Sequence, residues 1–236
     1  MSETRTLYIF LFLILLILYI STLTESFQIA SPMLSTQRWC VLLTTCRRQR
    51  KEGDPQYSDK YTDEKDSYYK RSIELWLSQT SLPIFVVESS GQGFPEFAGS
   101  RLKVHTVDIK NLPSSSQYEA RSILSAMDAF KEDMASYTYV LKVTGRYYVD
   151  VEYILPTVPD VDLVVQSRFE KDWNNSELFG IKRDLMKELL TPIYDEGLME
   201  KQLYTFSKTH TTYRLPQVRN ILMSRRGGDN VLLDYL

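Results

Sequence analysis

Apolar and polar positions fall in blocks along the chain, and the blocks read as alternating strands and helices. Trp39–Thr45 (WCVLLTT) is a short continuous apolar run, which predicts a strand covered on both faces. The charged, turn-rich stretch 47–66 after it reads as a long surface loop. Ser67–Ser78 sets Tyr69, Ile73, Trp76 and Leu77 at helical spacing. Pro83–Glu88 (PIFVVE) predicts a second strand ended by Ser-Ser-Gly, and Leu102–Val107 a third. Ser116–Met134 is the clearest helix: Ser116 caps it with Glu119 three residues on, and its apolar stripe runs through Ala120, Ile123, Leu124, Met127 and Phe130. Thr138–Val143 and Asp162–Gln166 are further buried strands, helices follow at 182–190 and 195–207, and Val218–Ser224 is a late strand. Fully apolar strands alternating with helices predict an α/β domain over 38–236, with a mostly parallel, Rossmann-like sheet flanked by helices.

The first block has a different character. From Leu7 to Ile20 every residue is aliphatic or aromatic. With Ser21–Thr24 the run reaches about 18 residues, or about 27 Å of helix, close to the thickness of a bilayer core. A retained anchor and a cleaved signal peptide both fit such a run. Its length, and the lack of a small-x-small site in Ser21–Ser26, favour the anchor. The expected organisation is therefore a single-pass type II membrane protein: anchor 1–24, stem 25–37, and the domain on the lumenal side of the Golgi or endoplasmic reticulum. Arg5 and the free amine precede the run and set that orientation, although Glu3 partly offsets them.

The formal net charge of −2 argues against nucleic acid as the main partner, since phosphate-backbone binding needs a marked basic excess. The basic run 47–51 is balanced by acidic neighbours between Glu52 and Asp66. Cys40 and Cys46 flank one predicted strand, and six strand steps hold them about 20 Å apart, too far for a disulfide. With only His105 and His210 besides, no zinc-ligand spacing is present.

In a parallel α/β sheet, ligands bind beyond the carboxyl ends of the strands. That rule collects Thr44, Thr45 and Arg47, then Glu88, Ser89 and Ser90, then Asp108, then Lys142, Thr144, Gly145 and Arg146. A lysine ending an apolar strand is costly to bury unpaired, so Lys142 is expected to point into a polar site, with Arg146 beside it across the glycine. The competing reading makes both scaffold cations paired with Glu119 or Glu152. Gly145 would serve a close approach or a positive φ.

Lys142-Val-Thr144-Gly145-Arg146-Tyr147 after an apolar strand resembles a motif of glycosyltransferase-like type II membrane proteins. Val86–Gly91, Ser176–Gly180 and Arg226–Asp229 extend the resemblance over most of residues 38–236. The resemblance implies a GT-A-like nucleotide-sugar fold, with the Thr-Gly-Arg segment near where that fold carries Asp-x-Asp. It also implies a transferase moving a sugar from a nucleotide-sugar donor to a glycan or other hydroxyl acceptor.

On that reading Thr44, Thr45, Glu88 and Ser89 hold the donor with Thr144 and Gly145, and Lys142, Arg146 and Arg226 steady its diphosphate. Glu177 or Asp229 would act on the acceptor hydroxyl; Glu177 reads equally as a helix-start carboxylate, and Glu200 is a weaker candidate. Asp160-Val161-Asp162 opens its strand and falls on the wrong edge for a metal. Asp150 and Glu152 are the weaker alternative, as oxygen ligands for Mg2+ or Mn2+; Lys142 and Arg146 in place of the metal's charge is the preferred account. Asn174-Asn175-Ser176 is a glycosylation pattern, expected to stay empty because a glycan would crowd Glu177. The alternatives are a non-catalytic lumenal module that binds glycans or a partner, favoured by the missing Asp-x-Asp, and a nucleotidyltransferase.

Overall fold

Seven strands form one sheet in the order β3-β2-β1-β4-β6-β5-β7. They are β1 Trp39–Thr45, β2 Ile84–Glu88, β3 Leu102–Thr106, β4 Tyr139–Thr144, β5 Leu163–Ser167, β6 Asn174–Lys182 and β7 Thr212–Leu215. The computed structural model describes residues 39–47, 59–110, 112–151, 155–167, 172–193, 197–215 and 218. β3, β2, β1 and β4 are mutually parallel, β6 runs antiparallel to both β4 and β5, and β7 is parallel to β5. The sheet is thus mostly parallel, in a mixed α/β fold.

Strand periodicity divides the core in two. On β1, Trp39, Val41 and Leu43 join one cluster, while Cys40 and Leu42 join the other. The first cluster lies under helix α1 (Asp59–Gln79) through Tyr69, Ile73 and Trp76. The second lies under α2 (Ser115–Ala129), α3 (Met186–Leu190) and α4 (Met199–Thr209), through Ala120, Ile123, Leu189 and Leu203. Trp76 fixes α1 to the segment after β4. Its indole N–H donates to the Tyr147 carbonyl at 3.0 Å, beside Ser72 Oγ at 2.8 Å on the same oxygen.

Several expected elements differ. The stretch 47–66 is not all loop, because α1 begins at Asp59. Residues 63–67 are exposed or half-buried and lack an apolar stripe, and the helix uses pairs such as Asp66–Lys70 at 2.8 Å, so charge hid helix. The cap of α2 is Ser114 rather than Ser116. Ser114 Oγ accepts from the Gln117 backbone N–H at 3.2 Å, so the capping pair is Ser-x-x-Gln set two residues earlier. Ser116 is buried and accepts from the Met199 N–H at 3.1 Å, tying α2 to the start of α4. That helix ends at Ala129, not Met134.

β6 replaces what read as a loop and a helix start. Its opening residues Asn174, Asn175 and Ser176 are polar yet buried, and tertiary partners bind them: Arg214 donates to Asn174 Oδ1, Asn175 donates to Gln166 and Ser176 to Glu200, although Asn174 Nδ2 finds no partner. Lys182 closes β6 instead of opening a helix; a 3-10 turn over Arg183–Leu185 leads into the short α3. The helix expected at 195–207 is α4, and the edge strand β7 went unforeseen. The strand expected at 218–224 lies outside the described residues except for Val218. Residues 1–38, which hold the expected anchor and stem, also lie outside. Among the described residues no helix is long and apolar enough to cross a membrane.

Candidate functional site

The winding of the sheet reverses beside β1. The chain runs outward from β1 through β2 to β3, then returns to place β4 on the other side of β1. Helix α1 covers one face and α2 the other, so the connections diverge at the carboxyl ends of β1 and β4. That is the crevice where open α/β sheets take ligands. It is bordered by Thr44 and Thr45 at the end of β1, and by Thr144, Gly145 and Arg146 at the end of β4.

The glycine turn closes over β1. The Gly145 N–H donates to the Thr44 carbonyl at 2.8 Å, and the Tyr147 N–H donates to Thr144 at 2.9 Å. A Cβ at position 145 would lie 2.4 Å from Thr45 Cγ2 and 2.9 Å from the Thr44 carbonyl oxygen. Glycine is needed for close approach to β1. A positive φ is not involved, since among the described glycines only Gly91 and Gly99 have one.

Lys142 does not point into an open site. Its side chain is 0% exposed and its ammonium lies 2.6 Å from Glu119 Oε1 on α2. The ammonium also donates to the Ser176 carbonyl at 2.6 Å and to Thr144 Oγ1 at 3.2 Å, and sits 5.6 Å from the centre of the Phe179 ring. Three donors meet three acceptors, so the charge is satisfied internally. Thr44 Oγ1 donates to the same Glu119 oxygen at 2.8 Å. With the cap at Ser114, Glu119 lies inside α2 rather than in its capping turn, and its carboxylate meets Thr44 of β1 and Lys142 of β4.

Arg146 lies elsewhere, so the two cations do not share a cleft. Its guanidinium stands 4.9 Å over the Tyr147 ring, and Tyr147 belongs to the cluster under α1. Burial works against its charge, but Tyr147, Tyr69 and Glu177 outweigh this and hold its pKa above the ordinary arginine value. Lys65 of α1 is the residue the sequence reading passed over. It is half-buried, its ammonium lies 5.6 Å from the centre of the Tyr69 ring, and it is close enough to Arg146 for each charge to oppose the other. The available signal was its spacing of four from Tyr69, masked by the loop reading of its segment.

Glu88 and its neighbours form a second carboxyl-edge group, built on internal bonds. The carboxylate of Glu88 is 0% exposed and accepts from the N–H of Arg47 at 2.9 Å, of Ser90 at 3.1 Å and of Gln92 at 2.7 Å, with Ser90 Oγ at 2.6 Å. Ser89 Oγ donates to the Thr45 carbonyl at 3.0 Å, and Thr45 Oγ1 donates to Val87 at 3.0 Å. These residues shape the loops after β1 and β2 and turn their polar atoms inward. Arg47 is likewise committed: its guanidinium binds the Asp66 carboxylate and the Gly93 carbonyl and lies 4.8 Å from the centre of the Phe94 ring.

Glu177 sits on β6 and is 8% exposed, with its backbone N–H held by Asn175 Oδ1 at 3.0 Å. Leu178 stands opposite Val143 in the β4–β6 register, so Glu177 lies at the carboxyl edge of β4 that also carries Arg146, within electrostatic reach of it. Glu200, in the first turn of α4, accepts from Ser176 Oγ at 2.9 Å. Asn174 is fully buried and its Oδ1 accepts from Arg214 at 3.0 Å, which leaves no accessible glycosylation nitrogen in the folded chain. Asp160 and Asp162 are on the amino edge, as expected, around Lys182 at 3.2 and 3.0 Å. Asp150 is half-buried beyond the turn, and no cluster of three potential metal-ligating side chains occurs among the described residues. Glu152, Arg226 and Asp229 lie outside the described residues.

An open cavity of about 560 Å³ is lined by Arg47, Lys70, Glu74, Pro95, Glu96 and Phe97. Another of about 380 Å³ lies at the amino edge, between Tyr137, Thr138, Asp162, Lys182 and Arg183. Neither is lined by Lys142 or Arg146.

No protein-family model matches the chain, and a search of curated proteins gives no match. Solved structures of partial likeness include a Desulfovibrio desulfuricans G20 protein provisionally assigned as a nucleotide-diphospho-sugar transferase. It has a TM-score of 0.48 and 13% identity, over 76% of this chain and 80% of that one. A glycosyltransferase involved in glycosylation of the major capsid of PBCV-1 has a TM-score of 0.44 and 9% identity, over 75% of this chain and 81% of that one. A cytidylyltransferase from Leptospira borgpetersenii serovar Hardjo-bovis has a TM-score of 0.44 and 10% identity, over 76% of each chain.

Proposed function

We propose that the chain is a GT-A-like transferase that takes a nucleotide-sugar donor at the carboxyl edge of β1 and β4 and passes the sugar to a hydroxyl acceptor. The observation that carries this reading is the meeting of Arg146 and Glu177 at that edge, one from the end of β4 and one from β6. A cation and a carboxylate at one sheet edge suit a reaction that needs both. In the inverting form, the acceptor oxygen bonds to the anomeric carbon and its proton passes to Glu177. The bond from that carbon to the diphosphate oxygen breaks, and its electron pair leaves with the diphosphate, whose growing charge Arg146 stabilises. Thr144 and Gly145 set the turn that aims Arg146. Lys142, with Glu119, holds β4, α2 and β6 together and takes no part in binding. The Lys-x-Thr-Gly-Arg-Tyr resemblance supports the donor class. A membrane anchor and a lumenal setting rest on residues 1–24 alone.

Transfer or donor hydrolysis by the purified, detergent-solubilised chain across a nucleotide-sugar panel tests this. Arg146→Ala should remove turnover while the melting temperature stays within a few degrees. Undiminished turnover in that variant rules the mechanism out.

One observation favours a second reading. Lys142, Glu88 and Arg47, three of the groups best placed by sequence to touch a donor, are all saturated internally. A module that keeps the fold and binds a glycan or protein partner would look the same. Titration with uridine and guanosine diphosphates separates the two, since such a module binds neither.

A further inference from the structure

Two steps along β5 answer to five along β6: Val165 stands opposite Phe179, but Ser167 stands opposite Asn174. Asn175, Ser176 and Glu177 are therefore left over as an irregularity in the ladder, of the kind that re-aims a side chain. Buried side chains bind the backbone there. The Lys142 ammonium donates to the Ser176 carbonyl at 2.6 Å, and the Glu177 N–H donates to Asn175 Oδ1 at 3.0 Å. Those are the two polar groups of one peptide unit, the one joining Ser176 to Glu177, so its plane is held from both sides. Asn175 Nδ2 donates in turn to Gln166 Oε1 at 3.1 Å, which decides the end of the amide that faces Glu177. Lys142 is 0% exposed, Gln166 2% and Asn175 6%, so water does not compete for these bonds.

We infer that Lys142 and Asn175 are positioning residues for Glu177, clamping the peptide unit from which its carboxylate leaves the strand. The inference deepens the transferase reading and rests on it for the task of that carboxylate. On a regular strand, alternation sets the direction of each side chain. Within the irregularity alternation no longer aims Glu177, and the clamp takes over that role. Rotating the clamped unit would turn ψ of Ser176 and φ of Glu177 together and swing the carboxylate away. A base must stand about 2.6–3.2 Å from the oxygen whose proton it takes, and a misplacement of about 1 Å can cost about a hundredfold in rate. Lys142 thus has a task besides its pairing with Glu119 at 2.6 Å. A methionine would fill its space but could not hold the carbonyl.

Turnover of nucleotide sugars by the purified, detergent-solubilised chain is the first measurement. Asn175→Ala and Lys142→Met should each lower kcat about 10- to 100-fold and leave the donor KM within about twofold. Melting curves show which variants are folded, and either one suffices because both act on the same peptide unit. Repeating the substitutions in Glu177→Gln separates positioning from scaffold. A residue that acts through Glu177 should change the residual kcat of that background less than about twofold. An equal fall in both backgrounds overturns the inference, as does an undiminished kcat in the folded single variants; in both cases the transferase reading stands. Hydrogen exchange at the Glu177 amide needs no substrate. It should quicken about tenfold or more in Asn175→Ala, while Ile181, paired on both sides further along β6, keeps its rate. An unchanged Glu177 rate overturns the inference. If that quickening is seen but the wild-type chain turns over no nucleotide sugar, the clamp stands and the transferase reading fails.

Discussion

Glu119→Ala is the substitution whose consequence the structure fixes most tightly. Among the described residues Glu119 is the one carboxylate bound to Lys142, at 2.6 Å, and Lys142 is 0% exposed whereas Glu119 is 22% exposed. Removing the carboxylate leaves a buried ammonium with two neutral acceptors, the Ser176 carbonyl and Thr144 Oγ1, and no compensating charge. Breaking such a pair costs about 3–5 kcal/mol. Thr44 Oγ1 also loses its acceptor, worth about 1 kcal/mol. A domain of this size loses about 2–4 °C of melting temperature per kcal/mol, so the variant should melt about 8–24 °C lower. Lys142→Met should cost less, because Glu119 can reach water and keeps Thr44. The double variant Glu119→Met/Lys142→Met should be more stable than Glu119→Ala, since an apolar pair leaves no charge to bury. Thermal and urea melts of all three read this directly. A loss under about 1 kcal/mol in Glu119→Ala, or simple additivity in the double variant, would refute the account of Lys142 as a scaffold cation.

Gly145→Ala should destabilise by about 1–3 kcal/mol and lower donor affinity, since its Cβ meets Thr45 Cγ2 at 2.4 Å. Adding Thr45→Ser removes that methyl and should recover part of the stability in a urea melt, but not all, because the Thr44 carbonyl oxygen stays at 2.9 Å. Gly180→Ala should cost a similar amount, because its Cβ would lie 2.8 Å from Trp39, which stacks on Tyr139 at 4.6 Å; unchanged near-ultraviolet circular dichroism and stability would count against that packing. Asp66 has a lowered pKa: burial opposes this, but its bonds to Arg47 and Lys70 outweigh it. Its stabilisation is therefore complete above the ordinary carboxylate value of about 4 and is lost as pH falls through the lowered one. Asp66→Asn should cost about 1–3 kcal/mol at pH 7 and flatten the acid limb of stability, a result read from melts between pH 7 and pH 2. Donor binding should survive EDTA, with Arg146 supplying the charge; strict dependence on Mn2+ would move that role to Asp150 and Glu152.

Strands and helices with a strong apolar period were legible in the sequence. WCVLLTT, PIFVVE and TYVLKV could only be buried strands, and their alternation with helices called for a mostly parallel sheet. β6 was not legible, because NNSE looks like loop until Arg214, Gln166 and Glu200 are seen to bond Asn174, Asn175 and Ser176. The opening turns of α1 were missed for the related reason that a solvated helix has no apolar stripe. At the site, the segment Thr144–Arg146 was found at the expected edge, while Lys65 was not found.

Local chemistry determined where the chain is apolar, that Gly145 is needed, and that a lysine inside TYVLKV had to have a partner. Only the tertiary structure decided which partner, because a charge buried in a strand is satisfied by whatever helix packs over it. Helix α2 packs so that Glu119 meets Lys142, and that pairing takes Lys142 out of the candidate site. The side of the sheet on which each charge emerges depends on strand order and helix packing, which no local pattern records.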